Sequence, residues 1–160
     1  MTNETCLYQV AEIELIYKNK VPPSKRPRVL TSRQAYDVLM SSWDENKIGF
    51  VEQAKVLLLN RANRILGIYE VSTGGVAGTV VDPKLVMVAA LKSNASSILL
   101  SHNHPSGNLK PSKQDESLTQ RLREGCKLLD LHLLDHIIVS PEGYYSFADE
   151  NSFDIYNYGY

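Results

Sequence analysis

Residues 101–115, SHNHPSGNLKPSKQD, determine how the middle of the chain folds. They begin at the end of the apolar run ASSILLSH, which predicts a short buried strand over 95–102. Pro105 ends the strand because it has no N–H to donate, and Pro-Ser-Gly is typical of a turn. Ser112 followed three residues later by Asp115 fits a capping box. The stretch is therefore predicted to be a strand, a loop and a capped helix.

Three ionisable side chains of this stretch are expected to converge. Residues two apart on a strand point to the same face, so His102 and His104 project together while Asn103 points away. The loop is short enough to return Asp115, in the first helical turn, over the strand end. Two imidazoles and a carboxylate form a candidate zinc set with a fourth position for water, although other divalent metals also suit them. The alternative, a plain helix cap and an ordinary strand-end histidine, explains each residue alone but not the combination.

A catalytic metal site also needs a general base, and two upstream glutamates are candidates. Glu52 lies just before the apolar run VLLL, and Glu70 lies on the next predicted strand. Their positions in the sequence leave the choice between them open.

The remaining pattern predicts alternating strands and helices. A helix over 33–43 is capped by Thr31 or Ser32, and Asp82 followed by Pro83 begins another. The helix that opens at Ser112 carries an apolar stripe. Predicted strands cover 10–17, 56–59, 65–71, 95–102 and 131–140, and a PEG turn and YYSFA complete a final hairpin. The predicted fold class is α/β (α+β), a single mixed β-sheet flanked by helices.

Composition narrows the class of protein. A chain of 160 residues with 43% hydrophobic and 22% charged residues suits one globular domain. The net charge of −1 gives no global case for binding nucleic acid or an acidic membrane. No apolar run reaches the roughly 20 residues of a membrane span, and the N-terminus lacks a signal pattern. Cys6 and Cys126 predict free thiols, and we expect a cytoplasmic protein with no membrane partner.

One stretch near the N-terminus, between residues 18 and 33, is rich in lysine and arginine although the chain as a whole is nearly neutral. We interpret it as an exposed, proline-stiffened connector, because such runs are usually solvated. The alternative is weak contact with DNA phosphates, which would depend steeply on salt. Its residues are Lys18, Lys20, Lys25, Arg26, Arg28 and Arg33.

The spacing H-x-H, seven residues, then S-x-x-D is the signature of the JAB/MPN metalloprotease (JAMM) superfamily. LLSHNHPSGNLKPSKQD, followed by LLDHIIVS and GYYSFADE, resembles the RadC-like branch, in a short stand-alone form. The upstream VLLLNRANRILGIYEVSTGG and VDPKLVMVAALKSNASSILL are similar to that branch too, so the resemblance covers roughly residues 45–150.

The resemblance implies a JAB/MPN (cytidine-deaminase-like) architecture and a zinc-dependent hydrolase that cleaves a peptide or isopeptide bond with a metal-activated water. It implies that His102, His104 and Asp115 bind Zn²⁺ and that Ser112 positions or stabilises the oxyanion. Glu52 matches the family's catalytic glutamate, which would take a proton from water and deliver it to the leaving amine. The family's DNA-repair label implies a different function, a DNA-associated accessory protein without demonstrated protease activity. A metal-binding scaffold without catalysis is the third alternative.

Three segments are predicted. Residues 1–44 form an N-terminal strand, a basic proline-rich connector and a helix; 45–150 form the RadC-like JAB/MPN metal-binding domain; 151–160 form a C-terminal tail. The expected partners are an unidentified peptide or protein substrate and, weakly, DNA, with homo-oligomer formation left open. His136, among apolar neighbours, is predicted to form a hydrogen bond in the core or beside a ligand rather than to bind metal.

Overall fold

The computed structural model describes residues 10–14, 16–74 and 80–150, and these residues form a five-stranded mixed sheet with three α-helices. The predicted single mixed sheet flanked by helices is confirmed. A short 3-10 turn, Pro23–Lys25, precedes the first helix. The helices are α1 (Ser32–Ser42), α2 (Pro83–Lys92) and α3 (Lys113–Leu128), and the strands are β1 (Gln53–Leu59), β2 (Ile65–Thr73), β3 (Ser97–Asn103), β4 (His132–Ser140) and β5 (Gly143–Ser146).

The sheet order β2-β1-β3-β4-β5 brings distant parts of the chain together at one end of the central strands. β3 and β4 are parallel, and α3 is the crossover between them; the other neighbouring strands are antiparallel. Because β1 runs antiparallel to β3, the start of β1 lies beside the end of β3, and Ala54 pairs with His102. The residues just before β1 are thus placed next to the histidines that end β3.

Helices cover both faces of the sheet. On one face, α2 and α3 bury Val86, Ala90, Leu122 and Cys126 against apolar strand residues. On the other face, α1 packs with Leu57, Leu99 and Ile137 in a second cluster. Every residue of β3 is buried, as expected for a central strand covered on both sides.

Local signals at the three helix starts match the structure. The Thr31 hydroxyl accepts a hydrogen bond from the backbone of Gln34, and Asp82 caps α2 ahead of Pro83. Ser112 caps α3 through a complete capping box. Each cap satisfies a backbone N–H that has no partner within the helix, so the predicted starts are confirmed.

The predicted strand over 10–17 is wrong for the residues described, 10–14 and 16–17, which have no strand structure. Val10 and Ile13 are 87% and 84% exposed, so the apolar alternation there is not buried against a sheet. Helix α1, which was predicted with the N-terminal segment, shares a core with β1, β3 and β4. The predicted tail 151–160 and residues 75–79 of the glycine-rich loop lie outside the described residues. Within the described ranges, no helix is long and apolar enough to cross a membrane.

Candidate metal centre

The end of β3 and the start of α3 bring the three predicted ligands together. The Nε2 atoms of His102 and His104 lie 2.9 Å apart. One carboxylate oxygen of Asp115 lies 3.2 Å from Nε2 of His102, and the other lies 3.3 Å from Nε2 of His104. His102 is buried, and the other two side chains are half-buried. Three side chains of types that bind zinc therefore converge here.

Asp115 belongs to the helix cap and to this cluster at once. Its carboxylate accepts a hydrogen bond from the Ser112 backbone at 2.8 Å, while its own backbone N–H donates to the Ser112 hydroxyl at 3.0 Å. The cap fixes the rotamer of Asp115 and aims it at the histidines. The capping signature and the candidate site are one structure rather than rival explanations.

A chain of hydrogen bonds from Thr119 through His136 to His102 determines which ring nitrogen of His102 carries the proton. The Thr119 hydroxyl donates to the backbone carbonyl of Asp115 at 2.7 Å, so its oxygen must accept the proton on Nδ1 of His136, 2.6 Å away. Neutral His136 then has only an acceptor at Nε2, which lies 2.8 Å from Nδ1 of His102. His102 therefore carries its proton on Nδ1, and the lone pair on its Nε2 faces the cluster.

His104 is held in the same tautomer by a different partner. Its Nδ1 lies 2.6 Å from the backbone carbonyl of Asn108, and a carbonyl oxygen can only accept. The proton of His104 is thus on Nδ1 as well, and its Nε2 also presents a lone pair. Hydrogen bonds of this kind commonly orient histidines that bind metals.

The donor set fits a bound metal ion. Two nitrogen lone pairs that face each other at 2.9 Å repel unless a cation lies between or beside them. Tetrahedral zinc, with zinc–nitrogen distances near 2.0–2.1 Å, would space its ligand atoms by about 3.3 Å. The separations among His102, His104 and Asp115 are close to that value.

The electrostatics of the cluster favour a cation. When His104 is protonated its Nε2 can donate to Asp115, and this raises the pKa of His104, against burial, which lowers it. Burial alone would raise the pKa of Asp115, but the hydrogen bonds that both histidines can donate to it when protonated hold that pKa far below its usual range. Burial, followed by the nearby His102, keeps the pKa of His136 well below its ordinary value. His136 is thus neutral, as its place in the hydrogen-bond chain requires.

The two candidate bases are placed differently. A carboxylate oxygen of Glu52 lies within 4.8 Å of nitrogens of both His102 and His104, and Glu52 lines the same cavity. Glu70 instead accepts a hydrogen bond from the Gln53 side chain at 2.6 Å, and it does not belong to the described lining of that cavity. The geometry therefore favours Glu52 among the alternatives that the sequence left open.

Asn103, between the two histidines, holds the segment that carries Glu52. It is fully buried, and its amide group donates to the backbone carbonyls of Ile48 and Val51 at 2.7 and 2.9 Å. Its carbonyl oxygen accepts from the Gln53 backbone at 2.7 Å. Strand alternation correctly predicted that Asn103 points away from the histidines, but no local signal named these distant partners.

The cluster opens into a cavity of about 700 Å³. Its lining includes residues from the first turns of α3 and residues just before α2. Ser112 lines the cavity together with the histidines; Arg121, two turns along α3, also lines it and was not among the predicted site residues. The lining residues are Glu52, Val80, Val81, His102, His104, Ser112, Gln114, Asp115, Ser117, Leu118 and Arg121.

The basic connector lies elsewhere, and several of its arginines have partners within the protein. Arg26 donates to the carbonyl of Val21, and Arg28 donates to the carbonyl of Ala62 in the β1–β2 turn. Arg33 forms an i,i+4 ion pair with Asp37. These contacts give the arginines structural roles that require no DNA.

Comparison with known proteins identifies the family. The model of the RadC-like JAB domain matches residues 29–152, which includes α1 as well as the predicted 45–150 core. A UPF0758 protein of Flavobacterium johnsoniae is 36% identical over 129 residues, 81% of this chain and 55% of that protein. A UPF0758 protein of Porphyromonas gingivalis is 39% identical over 145 residues, 88% of this chain and 62% of that protein. This chain thus spans little more than half the length of these relatives. It belongs to the RadC-like JAB domain family.

Proposed function

We propose that this protein is a zinc-dependent hydrolase of the JAMM type that cleaves a peptide or isopeptide bond. The observation that carries the proposal is the convergence of Glu52 with His102, His104 and Asp115 in one open cavity. A carboxylate beside such a donor set can accept a proton from the water that a bound metal would activate.

The proposed roles follow from the chemistry of each side chain. His102, His104 and Asp115 hold the metal, which when bound supplies Lewis-acid polarisation of the carbonyl and lowers the pKa of water. Glu52 takes a proton from the attacking water and returns it to the leaving amine, so that the nitrogen departs neutral. The carboxylate is half-buried and open to the cavity, where it can reach both the water and the leaving group.

Ser112 is proposed to stabilise the oxyanion. Its oxygen accepts the backbone N–H of Asp115, but its own hydroxyl proton can still be donated. Because Ser112 lines the cavity, that proton can be directed to a substrate oxygen. The cap and the catalytic role use different parts of the same hydroxyl group.

Hydrolysis of a peptide mixture, with new termini mapped by mass spectrometry, tests the proposal. Zinc-loaded protein should cleave peptides, and Glu52→Gln should lower the rate by about 10²–10⁴-fold while retaining zinc. Glu70→Gln is the matched control, since Glu70 faces Gln53 rather than the cavity lining, and its rate should equal that of the wild type. Equal loss in both variants, or full activity in Glu52→Gln, would refute the assignment of Glu52.

A further inference from the structure

We propose that Arg121 binds an anionic group of the substrate, a peptide carboxylate two or three residues from the bond that is cleaved. Arg121 lines the cavity of the candidate metal centre on the wall formed by α3. The inference rests on the proposed hydrolase function and specifies which peptides the site selects.

The position of Arg121 on α3 determines how far the bound carboxylate lies from the bond that is cleaved. Gln114, Leu118 and Arg121 follow one another at helical spacing along the cavity face of α3. Arg121 is six positions after Asp115, which at a rise of 1.5 Å per residue is about 9 Å along the helix axis. An extended peptide advances about 3.3 Å per residue, so a chain that follows α3 from the metal centre meets Arg121 after two or three residues.

The charge of Arg121 is available to a ligand. Among the described residues, the guanidinium group of Arg121 has neither a hydrogen bond nor an ion pair, and its side chain is exposed. The carboxylate three residues further along the helix, Glu124, accepts a hydrogen bond from Gln120. An arginine can bind a carboxylate with two parallel hydrogen bonds, which gives direction as well as attraction.

The other lining residues favour a peptide with one acidic group over a polyanion. Val80, Val81 and Leu118 give the cavity apolar surface suited to an uncharged side chain. Arg121 is the one arginine or lysine in the described lining of this cavity, so a run of phosphates would have only one permanently charged side chain to pair with. A nucleic acid backbone therefore fits this cavity less well than a peptide with a single distant carboxylate.

Binding of a random peptide pool to immobilised, zinc-loaded Glu52→Gln protein tests the proposal without requiring turnover. The retained peptides should be enriched in Asp and Glu, and adding Arg121→Glu should weaken binding of a selected acidic peptide by about 10-fold, the loss expected for a charge-assisted hydrogen bond. Lys127→Glu makes the same charge change on the exposed far end of α3, outside the described cavity lining, and should leave binding unchanged.

Cleavage by the otherwise wild-type chain separates this proposal from the hydrolase function. Wild type and Lys127→Glu should cleave two or three residues from an acidic side chain, while Arg121→Glu should prefer a basic one. Cleavage without acidic preference would overturn the role of Arg121 and leave the hydrolase intact. If the bound peptides are enriched in Asp and Glu but no peptide is cleaved, the role of Arg121 stands and the hydrolase function is overturned. A single-stranded oligonucleotide that binds through Arg121 more tightly than any selected peptide would also overturn the role of Arg121.

Discussion

The side-chain oxygen of Asn103 accepts a hydrogen bond from the backbone N–H of Gln53 at 2.7 Å. This bond joins the residue between the two histidines to the residue after Glu52. The same side chain donates to the carbonyls of Ile48 and Val51, so one buried amide ties the base-carrying segment to the strand that carries the candidate ligands. Together with the pairing of β1 and β3, Asn103 thus holds the candidate base near the candidate metal centre.

Asn103→Asp should separate this positioning role from metal binding. The substitution turns a carboxylate oxygen toward two carbonyl oxygens, which displaces the segment that carries Glu52. We expect zinc content to stay near that of the wild type while kcat falls by about 10²-fold, because misplacing a catalytic group by 1 Å can have that effect. Metal analysis and steady-state kinetics measure the two quantities. Unchanged kcat would contradict the role assigned to Asn103.

Thr119→Val should weaken zinc binding although Thr119 is not a ligand. Without the hydroxyl, the Nδ1 proton of His136 loses its acceptor, and the tautomer of His102 is no longer held. The expected loss is about 10- to 100-fold in affinity, measured by competition with a chelator. Thr119→Ser keeps the hydroxyl and should keep the affinity. Equal affinity in Val and Ser variants would show that the chain through His136 does not tune the site.

Ser112→Ala should affect stability and rate together. Loss of the cap should lower the free energy of unfolding by about 1 kcal/mol. Loss of the hydroxyl proton should also lower kcat, by more than the loss of stability explains. Removal of one oxyanion-hole donor can lower kcat by about 10²–10³-fold. Thr31→Ala removes the cap of α1, which is outside the described cavity lining, and is the matched control. If both variants lose stability and neither loses kcat, Ser112 is a cap alone.

Added zinc should raise the melting temperature of the wild-type protein. Ligand that binds only the folded state at 100 times its Kd stabilises it by about 2.7 kcal/mol. A thermal scan with zinc and then with excess chelator measures the gain and its reversal. The gain should vanish in His104→Ala; an equal shift in that variant would place the zinc somewhere else on the chain.

Local chemistry explains why the strand, loop and capped helix of 101–115 could be predicted. A proline, a turn and a capping box act on neighbouring residues, so their consequences are visible in a short stretch of sequence. The alternation over 10–17 failed for the opposite reason. Alternation describes a surface that a sheet could bury, but it does not specify a partner strand, and Val10 and Ile13 are exposed.

The positioning roles of Thr119 and Asn103 could be recognised only from the tertiary structure. Thr119 follows Asp115 at i,i+4 spacing, so a shared helix face was predictable, but the link to His102 passes through His136 on β4. Asn103 reaches carbonyls more than fifty positions away in the sequence. From the sequence, only the family resemblance favoured Glu52 over Glu70; the physical reason is the antiparallel pairing of β1 with β3, which places the start of β1 beside His102.

Metal content after purification tests the central claim most directly. Wild-type protein should contain, or take up, about one equivalent of zinc, as a single three-ligand site requires. His102→Ala and Asp115→Ala should each lose it. Glu116→Ala, which changes the exposed acidic neighbour in the same turn of α3, should retain it. Wild-type protein that takes up no zinc, or zinc bound equally by all of these variants, would contradict the account.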